Sequence, residues 1–151
     1  MAGRALIVAS IVLVVLIGAA IVIGIATSGS DSALASLEDL REREVVFLDD
    51  EHIFLVYNGG EVLALSDDPQ HLEGEHTEWC ETSRMFETPT HGETFDSRGY
   101  YYGGPAQRGL DRYPVRIDGD PIYVELDQRM QGPDRGEGPA IEPQGDFCIP
   151  G

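Results

Sequence analysis

No lysine occurs in this chain: all ten basic residues are arginine, set against 27 acidic ones for a formal net charge of −17. A surface so short of positive charge repels phosphate backbones and anionic headgroups, which argues against nucleic-acid binding. The acid excess itself admits two readings. It is a solvated coat, as a salty environment or a GC-rich genome favours, or it is a docking face for a basic partner. Cysteine is scarce too, with Cys80 and Cys148 the full complement. Two cysteines so far apart do not specify a pair, so a disulfide tying the tail to the domain and two separate thiols both stay open. A glycine-rich phosphate loop, a metalloprotease-type helix pair and a Gly-x-Ser-x-Gly elbow are absent, and no catalytic constellation stands out. The expectation is a protein that is not an enzyme.

What is present begins with an uninterrupted apolar block, Ala5 to Ala26, without one charged residue. About 20 apolar residues span a bilayer as a helix, whereas the core of a cleaved secretory signal runs only about 7–15. The block is therefore expected to be a transmembrane anchor. Arg4 precedes it, and Asp31, Glu38 and Asp39 are among the charges that follow. The positive-inside rule keeps residues 1–4 in the cytoplasm and sends the remainder to the extracytoplasmic side of the cell membrane.

The rest of the chain is long enough for one modest core. Residues 27–44 read as a stalk: a short polar stretch, then a helical piece with Ala33, Leu34, Leu37 and Leu40 at mixed three- and four-residue spacing and Ser30 or Ser32 as its cap. From Glu44 the pattern changes to short β runs. Val45–Leu48 and Ile53–Tyr57 come first, Asn58-Gly59-Gly60 is a hairpin signal, and Val62–Leu65 returns. Tyr100–Tyr102, Tyr113–Ile117 and Ile122–Leu126 follow, with a tight turn at Asp118-Gly119-Asp120. This predicts a mainly β domain over residues 45–126, an antiparallel sandwich or small barrel. Residues 67–99 read as irregular and polar, holding three of the four histidines. Residues 127–151, rich in glycine and proline, are expected to lie extended over the domain or a partner. Trp79 reads as a packing anchor or a partner contact.

Two fragments carry the argument about function: Asp68-Pro69-Gln70-His71-Leu72, and Phe86-Glu87-Thr88-Pro89-Thr90-His91-Gly92-Glu93-Thr94-Phe95-Asp96. The second resembles the Rieske iron–sulfur signature, a Cys-Pro-x-His-Gly loop with a nearby Phe and Asp. The first is similar to the partner loop, Cys-x-His-Leu. Between His71 and Thr88 stand sixteen residues, Leu72 to Glu87, matching the interval between the loops in Rieske domains. Tyr102-Gly103-Gly104-Pro105-Ala106 is similar to the glycine-proline loop that covers the cluster, and Leu110 to Val115 to the strand after it. The hairpin strand Glu61 to Ser66 fits the lead-in. The resemblance covers residues 45 to 126 and implies an antiparallel Rieske-like β-sandwich.

A Rieske [2Fe–2S] centre needs two thiolates on one iron and two imidazoles on the other. The resemblance places His71 and His91 at the imidazole positions, but Pro69 and Thr88 where the thiolates belong. The bracing cysteines of many respiratory members align with Gly74 and Thr90. No ordinary cluster is expected on this donor set. The two imidazoles, with His76 or one of Glu73, Glu75 and Glu78, can instead hold zinc or copper, or persist as a hydrogen-bonded pair without metal. The layout also resembles that of respiratory Rieske proteins, with an N-terminal helix and an outward-facing domain. This implies a cluster-less structural or assembly subunit among the subunits of a respiratory electron-transfer complex, of the cytochrome bc type or an oxidase supercomplex, with a cytochrome as a possible neighbour. The alternative is a metal-binding or redox protein built on His71 and His91.

Overall fold

The computed structural model describes residues 32–70 and 74–149. The apolar block 5–26 and His71 lie outside the described residues. Among the described residues, no helix is long and apolar enough to cross a membrane.

The fold grows from one unbroken apolar run. Ile53-Phe54-Leu55-Val56 lacks the alternation of a half-exposed strand, and such a run must be covered on both faces. It forms the core of β3 (Ile53–Asn58), with Phe54 and Val56 facing one apolar cluster and Ile53 and Leu55 facing another. The Gly59–Gly60 turn, with φ +59° and +103°, returns the chain as β4 (Glu61–Ser66). Residue pairs run from Asn58↔Glu61 to Ile53↔Ser66. β2 (Val45–Leu48) flanks β3, and β9 (Arg112–Tyr113) flanks β4, giving a four-stranded antiparallel sheet.

One face of this sheet meets a second four-stranded sheet of β5 (Glu78–Cys80), β6 (Met85–Glu87), β7 (Thr94–Asp96) and β8 (Tyr101–Gly103). Phe54, Val56, Leu63 and Leu65 pack there with Phe86, Phe95, Ala106 and Leu110. Trp79 lies against Phe86 with ring centroids 4.9 Å apart, as a packing anchor. Residues 67–99 are therefore not the irregular stretch that the sequence suggests. Three strands run through them, each of three residues, too short to show a period.

The other face of the central sheet is covered by β1 (Ala35–Ser36), helix α1 (Leu37–Arg43), β10 (Val115–Ile117) and β11 (Pro121–Val124). Residues 27–44 were expected to stand off as a stalk, but their described part is built into the domain from Leu34 onward. Leu34 N–H donates to Ile122 O at 2.8 Å, and Ala35 and Ser36 pair with Ile122 and Pro121. The cap of α1 is Ser36, whose hydroxyl accepts from Asp39 N–H, rather than Ser30 or Ser32. Leu40 is completely buried with Ile53, Leu55, Ile122 and Val124. Of the apolar residues read as one helical piece, only Leu37 and Leu40 lie on the helix; Leu34 packs on the same cluster from the segment before β1, and Ala33 is exposed.

The tail lies extended over the domain. Met130 exchanges backbone bonds with Arg112, Gln144 N–H donates to Ser83 O, and Cys148 is joined to Cys80 by a disulfide with a Cα–Cα distance of 5.7 Å.

Candidate functional site

The hairpin of β6 and β7 presents Thr88 to Glu93 as a closed loop. Its base is the Glu87↔Thr94 pair. Above it Thr88 N–H donates to Glu93 O at 3.0 Å, and Glu93 N–H donates to Thr88 Oγ1 at 2.9 Å. Gly92 turns the loop with φ +67°. The glycine-proline segment closes over it, as the resemblance implies. A Cβ on Gly104 would stand 2.6 Å from Glu93 Cα, so only glycine allows so near an approach. The first loop leaves β4 through Asp67 to Gln70. Asp68 Oδ1 accepts from Gln70 N–H at 2.8 Å in an Asx-type turn, and Pro69 is buried.

Carboxylates occupy this end of the domain. Glu75 and Glu93 are both buried. Glu75 Oε1 accepts a hydrogen bond from the Thr90 hydroxyl and lies 2.9 Å from His91 Nδ1. Burial pushes the Glu75 carboxyl up, but bonds from Thr90 and His91, the charge of His91 and a bond with Glu93 outweigh it. The group is held below its ordinary value.

Of the residues singled out from sequence, His91, Thr88 and Pro69 are thus placed, the last two buried. Glu75 joins His91, as one of the extra ligands considered for it. His76, another of those candidates, turns instead to Asp67, with Nδ1 2.9 Å from Oδ2. Sequence reasoning missed His52 and Asp67, which meet there, with His52 Nδ1 3.1 Å from the same Oδ2. The signal was available in the hairpin. Six steps back from Asn58 and six forward from Glu61 arrive at His52 and Asp67, and Asp67 N–H donates to His52 O at 3.1 Å.

These residues do not fit a [2Fe–2S] cluster. Pro69 has no donor atom, and the Thr88 hydroxyl is a hard oxygen already engaged by Glu93 N–H. The sulfur atoms of the chain's two cysteines are bonded to each other, so neither is a thiolate.

No protein-family model matches the chain, and no curated protein matches it. Solved structures do. The plasma membrane Rieske protein PetC3 of the cyanobacterium Synechocystis PCC 6803 superposes with a TM-score of 0.52 at 25% identity. The match covers 62% of this chain and 97% of that one. The ferredoxin of carbazole 1,9a-dioxygenase from Nocardioides aromaticivorans IC177 gives a TM-score of 0.47 at 26% identity, over 62% and 94% of the two chains. Antiparallel sheets in this arrangement, with the two loops and their glycine-proline cover, make this a Rieske-like domain.

Proposed function

We propose that this chain is a membrane-anchored, cluster-less Rieske-like subunit with a structural or assembly role in a respiratory electron-transfer complex, and that it is not itself catalytic. The observation that carries the reading is Thr88. It is fully buried at a thiolate position, and its Oγ1 is spent on the loop's own backbone. What was a ligand position in the family pattern here braces the loop. The disulfide supports an extracytoplasmic domain, since such bonds persist where the compartment is oxidising. The plasma membrane origin of PetC3 agrees with the anchor read from residues 5–26.

The test is iron and acid-labile sulfide content with a low-temperature EPR spectrum, on gently extracted membranes with and without this chain. The expected result is co-purification with cytochrome or oxidase subunits and no iron–sulfur signal that follows the chain. A Rieske-type signal that disappears with the chain overturns the reading.

A second reading rests on the His91–Glu75 pair. A carboxylate on one ring nitrogen is how proteins orient an imidazole for a metal, and zinc or copper held with His71 would use it. Metal content unchanged in a His71→Ala/His91→Ala variant eliminates that reading.

A further inference from the structure

On the flank of the first loop, three donor atoms from three separate segments converge. His52 ends the turn before β3, Asp67 follows β4, and His76 precedes β5. The ring nitrogens Nδ1 of His52 and His76 lie 3.1 and 2.9 Å from the same Asp67 oxygen, and one ligand atom from each residue lies within 4.8 Å of the other two. We propose that His52, Asp67 and His76 form a mononuclear zinc site, with water in the fourth position.

The chemistry favours a cation here. Asp67 is only 2% exposed, and its ion-pair partners among the described residues are these two histidines alone. A carboxylate buried this deeply calls for a cation held against it. Glu51, Asp68 and Glu75 line the same open cavity and add negative potential. Arg129, the guanidinium in that lining, is drawn to Asp111 and Asp68.

The geometry fits with small movements. Around a tetrahedral zinc with bonds of about 2.0–2.1 Å, ligand atoms stand about 3.3 Å apart. The two histidine side chains are 61% and 54% exposed, so little packing resists their adjustment around an ion. The rings already lie nearly parallel, at 20° with centroids 5.4 Å apart. Two nitrogens and one carboxylate oxygen with an open solvent side is a donor set that zinc accepts.

The scaffold holds the three segments together before any ion binds. Asp67 N–H donates to His52 O, while Asp67 O accepts from Thr77 N–H at 2.7 Å and from the Thr77 hydroxyl at 3.0 Å. One residue thus ties down the backbone beside both histidines, which is the preorganisation a metal site needs. His52 itself sits at φ 55°, a left-handed conformation in which glycine would be easier.

The test is zinc binding by the full chain in detergent, stripped with chelator and titrated with zinc chloride against a chromophoric competitor. One zinc per chain is expected. Binding should weaken at least about tenfold in His52→Gly and in His76→Gln. His52→Gly suits its backbone angle and His76→Gln is at an exposed ring, so both variants should fold, as thermal melts without metal will check. Cobalt substituted for zinc should give visible bands in wild type that both variants lose. His91→Ala should keep the zinc and the bands. Equal affinity in wild type and both variants overturns the proposal, as does the absence of stoichiometric zinc. Zinc lost in His91→Ala but kept in the other two overturns it as well, and moves the metal to the other loop. None of these results bears on the iron and sulfide measurement, so the cluster-less reading stands or falls separately.

Discussion

Glu75 and His91 meet across the two loops at 2.9 Å, a buried carboxylate against a half-exposed ring. That contact joins the segment before β5 to the hairpin of β6 and β7, and it depends on charge. Because the Glu75 carboxyl is held below its ordinary value, its ionised form is the one that favours the fold. Its contribution is complete above the ordinary glutamate value of about 4.3 and is lost as pH falls through the depressed one. The stability difference between wild type and Glu75→Gln, from denaturant midpoints, should therefore be larger at pH 7 and shrink toward pH 3. A difference that grows on acidification would contradict the assignment.

Leu40 tests whether the segment before β2 belongs to the domain. Leu40→Ala should cost about 2–5 kcal/mol, as a fully buried leucine does. Trp79, the single tryptophan, gives a fluorescence readout of the denaturation. A change near zero would mean that α1 packs less firmly than the structure has it.

Asp111 anchors the tail. It is buried, and it accepts from Arg108, from Arg129 Nε at 2.7 Å and from Gly132 N–H at 2.8 Å. Asp111→Asn keeps the shape but removes the charge facing both guanidiniums. A loss of roughly 1–3 kcal/mol is expected, with faster hydrogen exchange at the Gly132 and Met130 amides.

The disulfide makes the second anchor. A Cys80→Ser/Cys148→Ser variant should lose roughly 2–4 kcal/mol, in keeping with the long loop it closes. Limited proteolysis should then cut the tail faster than in wild type. Equal cutting rates would show that the hydrogen bonds from Cys148 and Ile149 N–H to Glu87 suffice to hold it.

The parts of this fold that could be read in the sequence are those governed by local rules. Gly59-Gly60 sets a turn and with it the register of β3 and β4, and Asp118-Gly119-Asp120 does the same for β10 and β11. The loop around Thr88 was legible because a motif fixes both its length and its residues. β5, β6 and β7 were not, since their three-residue strands are stabilised by Phe86 and Phe95 meeting Phe54 across the core, a contact without a sequence period. The pairing of β1 with β11 was hidden for the same reason: its partners are more than eighty residues apart. His52 was the avoidable omission, because its meeting with Asp67 follows from a register that was already in hand.

The Cys80–Cys148 bond also makes part of the chain a covalent ring. Thr88, His91 and Glu93 lie inside it, whereas His52, Asp67 and His76 all precede it. Reduction opens the ring and releases the tail beside Glu87, but it leaves His52 and Asp67 at the foot of a hairpin whose register owes nothing to sulfur. The backbone next to His76 stays held there by the bonds from Thr77 to Asp67 O. The two sides of the first loop therefore answer to different conditions around the protein, one to its redox state and the other to its supply of metal.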